Sequence, residues 1–406
     1  MTTQNVTRRR FLKFSAAAGF GALLAACGSA ATTTPPAATS APAAGAPTAM
    51  AAAPAATSAP AAGAAMSMDQ LVAAAKQEGT LSTIALPHDW LNYGETIDSF
   101  KKKYSLEVNE LDPNAGSGDE IQAIKANKDN KGPQAPDVID VGFSFGPSSK
   151  ADGLLQPYKV ATWDTIPDDV KDPDGNWYGD YYGVLSFAVN KDTVKNVPQD
   201  WSDLLKPEYK GQIALAGDPR TSNQAILTVF AAALANGGSL DDAKPGLDFF
   251  AKLNEAGNLV PVIGKQSTLV GESPILITWD YLALGYRDAL KDNPAVAVVV
   301  PKSGVLAGVY VQAISAFAPH PNAAKLWMEY LYSDEGQLIW LKGYGHPIRY
   351  NDLAKNNKIP SDLAAKLPPA ELYAKAAFPK IAQQDAAKKV ITEGWDTIVK
   401  VNYPKS

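Results

Sequence analysis

Only one cysteine, Cys27, occurs in the 406 residues. A single thiol cannot close an intrachain disulfide, and no second sulfur exists to share a metal ion. Histidine is almost as scarce. His88, His320 and His346 are the only three, and the last two each precede a proline in turn-like settings. No G-x-S-x-G, H-E-x-x-H, Walker A or Rossmann glycine pattern is present. No catalytic residue, metal site or cofactor is therefore expected, and a secreted enzyme is the weaker alternative. Basic charge is also short. Four of the 37 basic residues (Arg8, Arg9, Arg10, Lys13) crowd the first stretch, which leaves 33 against 42 acidic residues. No basic stripe remains to follow phosphates, which disfavours a nucleic-acid partner.

The first stretch has the layout of an export signal. Arg8 to Lys13 form a positive region, and Phe14 to Ala26 a run of small and apolar residues too short to span a bilayer comfortably. Thr7-Arg8-Arg9-Arg10-Phe11-Leu12-Lys13 matches the twin-arginine export pattern; an ordinary secretory signal is the plainer alternative. Leu24-Ala25-Ala26-Cys27 looks like a bacterial lipobox. In that reading residues 1–26 are removed and Cys27 carries the lipid; a buried free thiol is the alternative. Residues 28–66 carry no charge and are almost entirely Ala, Thr, Ser, Pro and Gly, with the eight-residue run Ala38–Gly45 repeated at Ala56–Gly63. Such a stretch cannot build a core. As a loose coil it reaches about 35 Å. Residues 27–66 thus read as a lipidated, disordered tether on the outer side of the cell membrane.

From Ser67 the pattern changes. Ser67 and Gln70 form a capping box for a helix that stops at Gly79. Strand-like runs at 81–86, 106–111 and 137–141 alternate with helical periods at 95–104 and 119–127. The alternation resumes with strands at 212–216, 274–278 and 295–300 and helices at 222–235, 244–256 and 281–290. Two α/β units built on mainly parallel sheets follow from this order. Between them, 181–190 and 305–318 are long extended runs without a turn signal, suited to cross from one unit to the other and to form a hinge. Pro321 opens a further helix, and another ends at Gly343.

Ligands of open α/β sheets sit beyond the carboxyl ends of the strands. Asp89 and Trp90 follow the first strand there, with a plain helix cap by Asp89 as the alternative. Ser144 follows the third strand within Gly142–Gly146. Tyr181 and Tyr182 begin the first crossing run, and Tyr182 is taken as the cleft-facing one. Tyr310 lies on the return run. Arg220, Thr221 and Ser222 close a strand and open a helix, which gathers amides, hydroxyls and a guanidinium into an anion site; capping alone is the alternative. Trp279, Asp280 and Tyr281 place a carboxylate between two rings, which suits an ammonium group, unless Asp280 only caps its helix. Together these make a site with two poles, fit for a zwitterion.

Several segments resemble one family in order and spacing: Leu71–Gly79, Tyr182–Asp192, Trp201–Gly211, Asp218–Ser222 and Tyr332–Gln337. The chain from about Met68 to Arg349 is similar to bacterial extracellular solute-binding proteins of the type II periplasmic-binding-protein fold, in the branch of ferric-iron, phosphonate and polyamine receptors. The resemblance implies two α/β lobes joined by hinge strands. It places residues 67–182 and 312–345 in lobe 1, 183–311 in lobe 2, and 346–406 in a C-terminal helical segment packed on both. It implies a monomeric receptor that closes on a small charged solute and delivers it to the membrane permease of an ABC importer. A ferric-iron receptor is the alternative within the fold, but the adjacent tyrosines expected after the second-lobe strand are absent: Tyr281 and Tyr286 are five apart. Which solute is carried stays open.

Overall fold

The structure, a computed structural model, describes residues 66–367 and 370–403. The leader, Cys27 and the tether as far as Ala65 lie outside the described residues. The first helix, Met68–Glu78, starts as its sequence dictates: Ser67 Oγ accepts from the Gln70 amide, and Gln70 Oε1 accepts from the Ser67 amide. Leu71 and Ala75 point inward from it. Its last residue also serves a neighbour. The Glu78 carboxylate accepts from the amides of Asn322 and Ala323 at the start of helix Pro321–Leu331. A negative charge there satisfies donors that the helix itself cannot pair.

Eleven strands are present among the described residues. They are β1 (Thr80–Ile84), β2 (Glu107–Leu111), β3 (Val138–Gly142), β4 (Leu155–Gln156), β5 (Tyr178–Asn190), β6 (Ile213–Leu215), β7 (Leu259–Ile263), β8 (Ile275–Trp279), β9 (Val296–Val299), β10 (Ala307–Ser315) and β11 (His346–Pro347). In the first lobe β2 and β1 pair in parallel, and Ser82 of β1 is tied to Asp137 just before β3. Strand β3 pairs with β10, β10 with the first half of β5, and β4 and β11 extend these edges. In the second lobe β8 and β9 flank the last half of β5, and β6 and β7 continue from β8 in parallel. The fold is the two-lobed α/β architecture, with β5 shared by both sheets.

The two crossing runs differ. Residues Gly179–Val184 of β5 pair with β10, and Leu185–Asn190 pair with β8 and β9, so β5 itself passes between lobes. Strand β10 pairs only with first-lobe strands and with β5, from Ala307 onward. Sequence periodicity missed β4, β7 and β11, whereas helix Ile381–Gly394 lies within the helical segment expected over residues 346–406. That helix packs on helices Asn223–Ala235 and Lys244–Glu255 of the second lobe. Just ahead of it, Ala377 bonds to the backbone of Val305 and Ala307, where the chain returns to the first lobe.

Helix Asn223–Ala235 is almost wholly buried, and helix Lys244–Glu255 lies on it through Gly246. A Cβ at Gly246 would stand 2.0 Å from the Val229 carbonyl oxygen, a backbone atom that cannot swing aside. Gly246→Ala is expected to cost about 1–3 kcal/mol by overpacking. Gly285, inside helix Asp280–Leu290, has nothing within 4 Å of the same position. Gly285→Ala is expected to gain up to about 1 kcal/mol from helix propensity. Urea unfolding midpoints check both; equal shifts in the two variants would contradict this packing.

Candidate functional site

The carboxyl ends of the strands meet at a seam between the lobes. Four rings converge there. Trp90, in the turn after β1, lies edge-on to Tyr281 at 6.0 Å and to Tyr310 at 5.6 Å. Tyr181 stacks on Tyr310 at 5.4 Å and meets Tyr281 edge-on at 5.9 Å. Trp279 stacks behind Tyr281 at 6.2 Å. Trp90 and Tyr181 come from first-lobe elements, Tyr281 from the second, and Tyr310 from β10.

A hydrogen-bond chain runs from this box into the first lobe. Trp90 Nε1 donates to Tyr181 Oη at 2.8 Å, and Tyr181 Oη donates to Asp140 Oδ2 at 2.7 Å. Tyr93 Oη donates to the same oxygen at 2.8 Å. Gln312 Nε2 donates to Tyr93 Oη at 2.8 Å and to Asp180 Oδ2 at 3.0 Å. Glu120 Oε2 accepts from the Asp140 amide at 3.0 Å. Burial pushes Glu120, Asp140 and Asp180 well above the usual carboxylate range, and mutual repulsion pushes Glu120 and Asp180 further. Burial, with the same carboxylates, also pushes up Tyr93, Tyr181 and Tyr281, which stay neutral phenols.

A bulge sets this arrangement. Val309 faces Tyr182 and Val311 faces Gly179, so β5 carries one extra residue opposite Tyr310. The bulge re-aims the side chains around it. Asp180 and Tyr181 consequently both reach the Asp140 network.

Each residue expected from the sequence has a definite place. Trp90, Trp279, Tyr281 and Tyr310 come together at the seam. Tyr182 does not: it stacks on His346 at 4.9 Å on the other face of β5, and its neighbour Tyr181 takes the seam position. Burial draws His346 down to about 4, so the imidazole is neutral. Asp280 also turns to that face. It accepts from the Val184 amide at 3.0 Å and from Tyr373 Oη, and burial pushes it up to about 6. Arg220 is already paired, through Nε and Nη2 with Asp218 and through Nη1 with Asp396. Its guanidinium is held by these carboxylates, among which Asp218 acts most strongly. Thr221 and Ser222 line the seam by backbone: the Thr221 carbonyl accepts from the Gly118 amide at 3.1 Å, across from the first lobe. Helices Ser117–Ala126 and Asn223–Ala235 thus begin side by side. Only glycine fits at position 142, because a Cβ there would lie 1.9 Å from the Asn223 side chain. Asp89 is exposed in its turn. Ser144 is buried, with its carbonyl 3.4 Å from Lys388 Nζ of the C-terminal helix; that ammonium also lies 4.2 Å over the Phe145 ring.

Sequence reasoning missed Asp140, Asp180 and Lys388. One signal was available: Val138-Ile139-Asp140-Val141 sets a carboxylate inside an apolar strand, where an unpaired charge is seldom placed.

Comparison with known proteins agrees with this architecture. Residues 134–375 match the family model described as bacterial extracellular solute-binding protein. A Salmonella typhimurium protein named as a candidate 2-aminoethylphosphonate-binding periplasmic protein is 27% identical over 275 residues, covering 64% of this chain and 76% of the relative. Iron uptake protein A1 of Synechocystis is 22% identical over 272 residues, covering 63% and 72%. Among solved structures, the periplasmic binding protein AfuA of Actinobacillus pleuropneumoniae, with fructose-6-phosphate bound, superposes with a TM-score of 0.61 at 24% identity, over 80% of this chain and 99% of that one. With AgtB from A. tumefaciens R10, in complex with agropinic acid, the TM-score is 0.62 at 18% identity, over 79% and 99%. A two-lobed α/β fold, matched by a family model over more than half of the chain, makes this chain a member of the bacterial extracellular solute-binding proteins, the substrate-binding component of an ABC transporter.

Proposed function

We propose that this receptor captures a small organic solute carrying an ammonium group, and that the same solute carries an anionic group. The observation that supports this is the box of Trp90, Tyr181, Tyr281 and Tyr310, hydrogen-bonded through Tyr181 to the buried Asp140. Ring faces and carboxylates together favour a cation over water. The anionic end would lie at the paired starts of helices Ser117–Ala126 and Asn223–Ala235, where amides and partial positive charge converge. Arg220 is a weaker choice for that pole, since two aspartates already neutralise it. The relative named for 2-aminoethylphosphonate is consistent with such a cargo.

The rings are in mutual contact, so a cargo must enter through an opened seam. Opening would flex β5 near Val184, where its pairing changes from β10 to β8. Closing on a solute that touches both lobes shifts the population toward the closed form. In this reading the permease receives the closed, loaded receptor. The receptor acts outside the cytoplasm, as a monomer exported through the twin-arginine motif and held to the membrane by lipid on Cys27.

A thermal-shift panel of 2-aminoethylphosphonate, putrescine, fructose-6-phosphate, sulfate and ferric citrate tests the cargo. The aminophosphonate is expected to give the largest rise in Tm; at a hundredfold excess over Kd, binding contributes about 2.7 kcal/mol. Trp90→Ala and Tyr281→Ala should each weaken that binding about tenfold, equivalent to about 1.4 kcal/mol. A response to fructose-6-phosphate, sulfate or iron alone would refute the ammonium reading. For anchoring, cells grown with an alkynyl fatty acid should yield labelled receptor that partitions into detergent. Cys27→Ser should remove the label and leave the protein soluble; label retained in that variant would exclude the anchor.

A further inference from the structure

Beneath the aromatic box, Glu120, Asp140 and Asp180 are buried at 1%, 5% and 0% exposure. No lysine or arginine is among the groups that act on them, among the described residues. The further charge near Glu120 on its own helix is Asp119, another acid. The remaining groups that face the carboxyls are the Gln312 amide and five phenols: Tyr93, Tyr181 and Tyr332 from the first lobe, Tyr310 on β10, and Tyr281 across the seam. Burial pushes all five up, so none supplies or removes charge near neutrality.

Three uncompensated carboxylates in one dry cluster would cost far more than their phenol hydrogen bonds return. The cluster therefore holds protons when unliganded. Asp140 and Asp180 are joined through one short relay: Tyr93 Oη bonds to Asp140 Oδ2, and Gln312 Nε2 reaches both Tyr93 Oη and Asp180 Oδ2, so two acids share one dry network that disfavours ionising both. Several polar atoms stand without partners at this place, among them Gln312 Oε1, Asn223 Nδ2 and Trp279 Nε1. Asp140 Oδ1 receives no donor, and Tyr281 Oη, on a residue 2% exposed and on the opposite lobe, bonds to nothing. Tyr281 feels the Asp140 charge directly. Thus the two faces of the closed seam each hold a buried polar atom that lacks a partner where a donor cation would satisfy the acid.

We propose that Asp140 is the charge partner of the cargo's ammonium group, and that capture expels one proton from the Asp140–Asp180 pair. The inference rests on the amine reading of the seam. In the unliganded receptor the pair shares one proton. The incoming ammonium brings one positive charge; the shared proton leaves to water through the open seam before closure. The closed site then carries the charge it had before, with the ammonium where the proton was. Bound in this way, the cargo competes with protons. Affinity for an ammonium rises with pH while the pair is protonated, by at most about tenfold per pH unit, and levels off once the pair is ionised. A neutral solute or a simple anion displaces nothing.

Calorimetry on the purified receptor tests this with 2-aminoethylphosphonate, putrescine and ethanolamine as probes. Each is titrated in two buffers of different ionisation enthalpy at about pH 6, then again at about pH 9, to either side of the range where a buried acid pair yields its proton. About one proton released per bound amine is expected at the lower pH, falling toward none at the higher. Asp140→Asn should abolish the release and flatten the pH dependence, while Asp69→Asn, exposed on helix Met68–Glu78, should change neither. An amine that binds with equal heats in both buffers at the lower pH overturns the coupling but leaves the amine reading standing. A proton still released by Asp140→Asn overturns the role of Asp140. If none of the three amines binds, the amine reading and the coupling fall together. Should Asp140→Asn not fold, the two-buffer comparison on the unaltered receptor decides alone.

Discussion

Strand β5 runs for thirteen residues while serving two different sheets. An unpaired buried amide is too costly to leave in a core. The partner strands must therefore change hands along it, β10 and β11 on one half, β8 and β9 on the other. That exchange fixes where the lobes join and where the chain can bend. It also brings Tyr181, Tyr310 and Tyr281 to the seam, since they lie on β5, on β10 beside it and just after β8 beside it.

The bulge opposite Tyr310 follows from the same constraint. A regular strand would alternate its side chains, with Asp180 and Tyr182 on one face and Tyr181 on the other. The extra residue breaks that alternation, and Asp180 and Tyr181 both serve the Asp140 network. Tyr182 is left to stack on His346, within an aromatic group completed by Tyr350 and Tyr373. The two faces of β5 then have different work: one bears the box and the buried acids, the other fixes the C-terminal segment across the hinge through Tyr373 and Asp280.

Electrostatics separates the candidate poles. Arg220 and Asp280 are charged residues at strand ends, as a two-pole site requires, yet each is consumed locally. Asp218 and Asp396 hold the first, and the Val184 amide and Tyr373 hold the second. Asp140 differs because its phenol donors crowd onto one oxygen and leave the other unpaired. A carboxyl that is buried and half satisfied is suited to accept an incoming cation. One whose oxygens are already bonded to its own chain is suited to hold that chain in place.

The sequence by itself determined the alternation of strands and helices, most helix starts and stops, the two-lobed class and its family. These rest on local chemistry: the Ser67–Gln70 cap, the proline at 321, the apolar period of each helix and the largely apolar strand at 275–279. Trp90, Tyr281 and Tyr310 were also legible, because strand ends in such sheets face the ligand. Only the tertiary structure decided that Tyr181 rather than Tyr182 meets them, since an extra residue in one strand is invisible without its partner. It alone decided that Asp140, Asp180 and Glu120 share one buried cluster, because they are brought together from two strands and a helix. Arg220 found its aspartate partner two residues away and a second 176 residues on. Periodicity reports which face of an element is buried; which charges are left unpaired there depends on what the rest of the chain folds against it.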